Sequence, residues 1–478
     1  MKNLLLSGAL SLAALAFVSC DSDDDANEVL PGNGGSTNFT VTIENVSAPA
    51  PLFRSGVANT PVGATSPGPL FPGDAYEFEV IAGSNVTPGD GGTRLSFVSM
   101  MVQSNDLFFA PDESGIALFE NGMPIGLNGP VNVTNQVAVW DAGTEVNEAT
   151  GGPNQKPQQS ATAEDQGVDE NGNVTLVTGT DSFGNVIPAI TDMINVTVDY
   201  TGPSTFLVRV ENVSNGTTIA TPALGAGTTA AVPVSPIVWA VHTSDAPFFT
   251  EGQPAAGAGS VGSMTGVEDI AEDGFGDALI ADSAAASGFV VPMSPGVWAV
   301  HDDSVRPLFD SGVTDRGLGL EGIAEDGSAG DLGAALTTTA GVSQSAVFNT
   351  PVGAGAPGPI GPGGSYSFSF DASAGDYLSF TTMMVQSNDW FYSFSQDGIP
   401  LFNNGTAVQG DVTDQVRLYD AGTEIDELPG AGRFQVIRQS GPNTGAADGN
   451  TLVRRVTGTE FDNIPANDEV ILVTITAN

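Results

Sequence analysis

The chain has 478 residues, with 12 Lys and Arg against 56 Asp and Glu, a formal net charge of -44, and 40% hydrophobic residues. That length exceeds one ordinary domain, so two to four are expected. The charge excludes nucleic acid as a partner, since phosphate contacts need Lys and Arg, and favours divalent cations, while the apolar content excludes a disordered acidic tail.

The first element is an apolar run from Leu4 to Val18 behind Lys2, ending at Ser19-Cys20. Residues 1–20 read as a signal peptide. Their end resembles a bacterial lipobox, in which Cys20 becomes the lipidated first residue of the mature protein, although Phe17 is unusual at its position. An ordinary secretory signal with an incidental Cys is the alternative. Asp21-Ser-Asp-Asp-Asp25 resembles the acidic surface-export signal of some bacterial lipoproteins and reads equally as a solvated linker. Residues 21–37 form an acidic, then Gly-rich tether. Cys20 is the only cysteine, so stability must come from cores, with or without a metal, rather than disulfides. The expected location is the outer membrane or cell surface, as a lipoprotein, or the extracellular space. Membrane contact would be through the N-terminal lipid only, because no other run is long enough to span a bilayer.

At Phe39 an alternating pattern begins. Phe39-Thr-Val-Thr-Ile-Glu-Asn-Val46 puts Phe39, Val41 and Ile43 on one face, and Phe206-Leu-Val-Arg-Val-Glu-Asn-Val213 nearly repeats it. These strands predict the starts of two domains, 38–200 and 204–478. Within the first, Tyr76, Phe78 and Val80 alternate with Glu77 and Glu79, and Leu95–Val102 is an apolar strand. Val137-Ala-Val-Trp140, Thr175–Thr178 and Asn195–Tyr200 read as further strands. Short runs of Val, Thr, Phe and Ile, bounded by Gly, Pro and Asn, predict an all-β fold of antiparallel β-sandwiches.

The second domain repeats this order. Asn349-Thr-Pro-Val-Gly-Ala354 matches Asn59-Thr-Pro-Val-Gly-Ala64, Leu378–Val385 is again an apolar strand, and Val470–Thr476 closes the chain. Residues 235–342 read as an insertion into the second domain, itself duplicated. Ser235-Pro-Ile-Val-Trp-Ala-Val-His242 is echoed by Ser294-Pro-Gly-Val-Trp-Ala-Val-His301. Val267-Glu-Asp-Ile-Ala-Glu-Asp-Gly274 is echoed by Leu320-Glu-Gly-Ile-Ala-Glu-Asp-Gly327. Each unit predicts a strand, a turn and a short helix ended by Gly.

The heptapeptide Met-Met-Val-Gln-Ser-Asn-Asp occurs at Met100–Asp106 and again at Met383–Asp389. Each copy is followed by Asp-Ala-Gly-Thr-Glu, at Asp141–Glu145 and Asp420–Glu424. Each half therefore carries the same three acids: Asp106, Asp141 and Glu145, then Asp389, Asp420 and Glu424. Asp-Ala-Gly is a turn sequence, so its two acids can converge across a tight loop, and loops at one end of a sandwich can bring all three together. A hard divalent cation would relieve their repulsion. Ca2+ takes about six to eight oxygen ligands in irregular geometry and suits such loops better than Mg2+. Asp at a turn also commonly bonds the backbone with no metal, and spacing alone leaves both readings open.

These residues carry a family resemblance. Leu95-Ser-Phe-Val-Ser-Met-Met-Val-Gln-Ser-Asn-Asp-Leu-Phe108 followed by Trp140-Asp-Ala-Gly-Thr-Glu145 resembles the spondin domain of F-spondin and mindin. Leu378-Ser-Phe-Thr-Thr-Met-Met384, Asp389-Trp390 and Tyr419-Asp-Ala-Gly-Thr-Glu424 resemble it again. The resemblance implies two C2-like antiparallel β-sandwich domains, each binding one Ca2+ in its end loops. The implied ligands are Asp106, Asp141 and Glu145, and Asp389, Asp420 and Glu424. Glu145 and Glu424 replace the family's Asp, and the disulfides of animal spondin domains are absent. The implied role is non-catalytic adhesion or ligand binding, with an extracellular protein or glycan as partner. A metal-dependent surface hydrolase of polysaccharide or protein, and a structural spacer without metal, are the alternatives.

Other motifs carry less. Gly257-Ala-Gly-Ser-Val-Gly262 matches a dinucleotide pattern without the βαβ context that would give it meaning. His242 and His301, the only histidines, read as structural residues at strand ends. Trp239 and Trp298 read as packing residues. No nucleophile elbow, His-Glu-x-x-His helix or Walker loop is present.

Overall fold

The alternation that begins at Phe39 does form a strand, and its three apolar side chains are completely buried. The computed structural model describes residues 36–82, 93–121, 123–160, 162–202, 204–243, 248–255 and 266–478. The signal peptide, Cys20, the tether up to residue 35 and Gly257–Gly262 lie outside the described residues.

The main strands, in chain order, begin with β1 (Thr37–Asn45), β2 (Leu52–Ala58), β3 (Ala75–Ile81), β4 (Arg94–Met100) and β5 (Leu107–Pro111). There follow β6 (Val137–Asp141), β7 (Thr175–Leu176), β8 (Ile194–Gly202), β9 (Thr205–Asn212) and β10 (Ile237–His242). Helices α1 (Val267–Asp273) and α2 (Asp277–Ala285) then precede β11 (Met293–Asp302). Helices α3 (Leu320–Asp326) and α4 (Gly330–Leu336) precede β12 (Val342–Phe348), β13 (Ser365–Ala372), β14 (Asp376–Met384) and β15 (Trp390–Ser393). The last are β16 (Arg417–Asp420), β17 (Arg454–Arg455) and β18 (Ile471–Ala477).

The fold is all-β and antiparallel, as the composition predicts. In the N-terminal half one sheet runs β7-β6-β5-β4-β10-β2, and a second runs β3-β9-β8. Phe97, Phe109, Val139 and Trp239 of the first sheet share a core with Tyr76, Val196 and Val208 of the second. The C-terminal half repeats the arrangement with β12-β11-β14-β15-β16-β17 and β13-β1-β18. There Trp298, Phe380, Tyr392 and Leu418 meet Phe39, Val41, Tyr366 and Val473. The outer face of each longer sheet is covered by a helix pair, through Val267, Ile270 and Leu279 in one half and Leu320, Ile323 and Leu332 in the other. Helices α1 and α3 both end at a left-handed glycine, Gly274 and Gly327, as the repeated Glu-Asp-Gly predicts.

The strand pairing departs from the sequence boundaries at 38–200 and 204–478. Strand β1 pairs with β13 and β18, so the segment expected to open the first domain completes a sheet of the C-terminal half. Its near-copy β9 pairs with β3 and β8 of the N-terminal half. The side chain of Asn45 locks β1 in place, with Nδ2 donating to the carbonyls of Val291 at 2.9 Å and Ile360 at 3.0 Å. Asn212 repeats this at the end of β9, donating to Leu70 and Val232, both at 2.9 Å. Both asparagines are fully buried, so these bonds are obligatory.

The segment 235–342 is likewise shared between the halves instead of being inserted into one. Strand β10 pairs with β2 and β4. Strand β11 pairs with β12 and β14. Each half thus holds one copy of the strand-and-helix unit. The physical reason is periodicity: two copies with the same buried face satisfy either sheet, so sequence order does not say which sheet each one joins.

Candidate functional site

The two repeated phrases meet at one end of each sheet pair. The chain leaves β4, turns through Gln103-Ser-Asn-Asp106 and enters β5. Ser104 holds the turn, its Oγ donating to the Met101 carbonyl at 2.6 Å and accepting from the Leu107 amide at 3.2 Å. Asn105 Oδ1 accepts from the Glu148 amide at 3.0 Å and from Gln155 Nε2 at 2.8 Å. Asp106 Oδ2 accepts from the backbone amides of Thr144 at 2.8 Å and Glu145 at 3.1 Å. The heptapeptide therefore reads the backbone of Asp-Ala-Gly-Thr-Glu, which explains why the two phrases recur together.

The Asp-Ala-Gly turn has its own logic. Asp141 Oδ1 accepts from the Gly143 amide at 2.8 Å, and Gly143 sits at φ +67. A Cβ on Gly143 would lie 2.8 Å from the Asn173 backbone, so only glycine is accommodated. Glu145 Oε1 accepts from the Gly167 amide at 2.7 Å, and Oε2 accepts from Asn105 Nδ2 at 3.2 Å. The C-terminal half repeats nearly every bond. Asp389 Oδ2 accepts from Thr423 at 2.7 Å and Glu424 at 3.1 Å, and Glu424 Oε1 accepts from Gly445 at 2.7 Å. Asp420 Oδ1 accepts from Gly422 at 2.6 Å. All six predicted residues thus bond the backbone, which is the metal-free role open to a turn acid.

One atom in each half is left over. Asp106 and Asp389 are 0% exposed, and in both the second carboxylate oxygen, Oδ1, is buried with no hydrogen-bond partner. A buried, unpaired carboxylate oxygen is costly unless a proton or a cation meets it. Burial, and then the charge of Asp141, push the Asp106 carboxyl up to about 7. Burial likewise raises Asp389, Asp141, Glu145 and Glu424.

The acids do not gather as two equal trios. In the C-terminal half Asp389 and Asp420 converge with Asp426, with ligand oxygens within 4.8 Å of one another, while Glu424 is outside that group. In the N-terminal half the group of that kind is Glu145, Asp165 and Glu272. Asp426 corresponds to Asn147, whose Nδ2 donates to Asp141 Oδ2 at 2.7 Å. Register makes a second difference. Asp420 faces Arg454 across β16 and β17, where Asp141 faces Thr175 across β6 and β7. The Arg454 guanidinium pairs with Asp420, with Asp448 at 2.8 Å and with Asp426 at 3.6 Å. Burial, Asp389 and Asp426 push the Asp420 carboxyl up, and Arg454 opposes them.

Sequence reasoning missed Glu272 and Glu325. Both lie in the repeated Ile-Ala-Glu-Asp-Gly, read only as a helix end. They are 5% and 3% exposed, and burial pushes both carboxyls up to about 8. The recurrence of a buried acid in both copies was the available signal.

The remaining candidates are structural. His242 and His301 are buried, with Nε2 2.9 Å from the hydroxyls of Ser96 and Ser379 respectively. A Cβ on Gly115 or Gly398 would lie 2.9 Å from those nitrogens, so a glycine packs closely against each Ser-His pair. Trp239 stacks on Phe78 at 5.8 Å and Trp298 on Phe368 at 5.3 Å, which makes them packing residues. No helix among the described residues is long and apolar enough to cross a membrane. No protein-family model matches the chain, and no curated protein matches it.

Proposed function

We propose that the chain is an exported calcium-binding protein of two spondin-like β-sandwiches, tethered through a lipid on Cys20. Its role is non-catalytic adhesion or ligand binding at the cell surface or matrix. The observation that carries the calcium reading is the buried, unpartnered Oδ1 of Asp106 and Asp389, at equivalent positions in the two halves. The residues fit a hard cation. The neighbouring donors are carboxylates, and oxygen ligands in irregular loops suit Ca2+. Asp106 with Asp141 and Glu145, and Asp389 with Asp420, Asp426 and Glu424, would hold it. The ion would neutralise the buried acids and fix the loops that present a recognition surface. The adhesive role rests on the resemblance of the two phrases to the spondin domain, and the partner would be an extracellular protein or glycan.

Calorimetric titration of the full chain with CaCl2 tests the reading. Saturable binding is expected, with one class lost in Asp106→Asn and one in Asp389→Asn. Heat of dilution alone in the wild-type chain would overturn it.

A further inference from the structure

The described acids include a second group besides Asp106 and Asp389, and it lies on the helices. Glu272 and Glu325 are in the last turns of α1 and α3, where the helix dipole disfavours negative charge, and neither helix has a basic residue there. Each has another glutamate four residues earlier, Glu268 and Glu321, and like charges at that spacing repel. Acids at the ends of two equivalent short helices call for a compensating cation.

One observation in each half, at equivalent positions, points to where one would bind. In the N-terminal half, oxygens of Glu272, Glu145 and the exposed Asp165 lie within 4.8 Å of one another. In the C-terminal half, Glu325 is 3% exposed and its Oε2 is buried with no partner. Glu325 lines an open pocket of about 520 Å³ together with Glu321, Asp326, Asp331 and Asn443, whose Nδ2 donates to Glu321 Oε1 at 2.9 Å and leaves its amide oxygen as the open donor. Asn443 holds the place of Asp165: both have left-handed backbone, at φ 50 and 51, and both come two residues before the glycine that donates to the loop glutamate. Just beyond this position the N-terminal half supplies its own cation. Lys156 Nζ is 3.4 Å from Asp273, the residue after Glu272. In the C-terminal half the matching Asp326 accepts instead from the neutral Gln439 at 2.7 Å.

We propose that α1 and α3 each carry a second divalent-cation site, nearer solvent than Asp106 and Asp389. Its ligands are Glu272, Glu145 and Asp165 in one half, and Glu325, Glu321 and the Asn443 amide oxygen in the other. This deepens the calcium reading and rests on it. Glu145 is shared between the two sites of the N-terminal half, and Glu272, Asp165, Glu325, Glu321 and Asn443, which lie outside the end-loop phrases, make the sites separable by mutation.

The test is equilibrium dialysis of the full chain against 45CaCl2, comparing wild type with Glu272→Gln, Glu325→Gln and Asp165→Asn, and with Asp106→Asn and Asp389→Asn. Each Glu→Gln variant should lose one bound ion per chain or weaken one class by about tenfold or more. Asp165→Asn, at an exposed position, should weaken the N-terminal class alone without affecting folding. The classes lost in Asp106→Asn and Asp389→Asn should be different ones. Unchanged stoichiometry and affinity in Glu272→Gln, Glu325→Gln and Asp165→Asn, with ions still lost in Asp106→Asn and Asp389→Asn, would overturn this inference and leave the first reading standing. No binding by the wild-type chain would overturn both.

Discussion

The loop cluster around Asp106 and the one around Asp389 share a backbone and differ in charge. The C-terminal cluster has one more acid, Asp426, and an internal counter-cation, Arg454, which reaches three carboxylates. The N-terminal cluster has Asn147 and Thr175 at those positions, and Lys156 pairs with Asp273 on helix α1. A guanidinium already among the acids lowers the gain from a metal ion, because the ion must compete with it. The comparison teaches that a repeated motif need not be a repeated function. The N-terminal loops should depend on Ca2+ more than the C-terminal loops do.

The halves also differ in how their sheets are completed, and breaking that difference should have the largest effect. Deleting residues 36–46 removes β1, with Phe39, Val41 and Ile43 fully buried, from the middle of the β13-β1-β18 sheet. Three such side chains are worth on the order of 6 kcal/mol in burial alone. The C-terminal half should become protease-sensitive while the N-terminal half, closed by β9, stays resistant. Equal digestion of both halves would show that β1 does not close the sheet described.

A smaller effect follows from the counter-cation. Arg454→Ala leaves Asp420, Asp426 and Asp448 without their guanidinium and should cost at most about 3 kcal/mol, since Arg454 is partly exposed. Millimolar Ca2+ should restore more of the melting temperature in this variant than in the wild type. Thr175→Arg should do the reverse in the N-terminal half, weakening its response to Ca2+. Identical Ca2+ responses in both variants would remove the distinction between the clusters.

How far the sequence carried this comparison depends on the range of the signal. Alternation at Phe39, Tyr76 and Tyr366 made the strands legible, because each buried face is written locally. Which sheet β1 and β9 join was not legible, since Phe39-x-Val-x-Ile and Phe206-x-Val-x-Val present interchangeable faces. The same ambiguity misplaced the 235–342 unit. Asp106, Asp141 and Glu145 stood out through repetition, and the structure wires their loops together by backbone bonds. Glu272 and Arg454 reach the clusters from segments distant in sequence, and only tertiary packing brings them near. Asp426 was within reach: it follows Glu424 by two residues, where the first copy has Asn147.

The smallest effect is graded and concerns pH. Without a metal ion, burial pushes the folded-state carboxyl of Asp106 up to about 7 and those of Glu272 and Glu325 up to about 8, against ordinary values near 4 in the unfolded chain. The folded state therefore binds more protons between about pH 4 and pH 8. The stability these groups contribute is fully present below that window and is lost as pH rises through it, by up to about 1.4 kcal/mol per pH unit for each group. The metal-free chain should melt higher at pH 5 than at pH 8. Ca2+ should narrow the gap, because it binds the deprotonated acids. A metal-free chain that melts lower at pH 5 would mean these carboxyls are ionised and paired in a way the structure does not show.

The most direct measurement is a calorimetric melting curve of the chain at pH 7.5 or thereabouts, recorded in EDTA and in millimolar CaCl2, for wild type, Asp106→Asn and Asp389→Asn. The account predicts that Ca2+ raises the wild-type melting temperature and that Asp106→Asn loses the larger part of that rise, Asp389→Asn the smaller. Superimposable wild-type curves in EDTA and CaCl2 would contradict it.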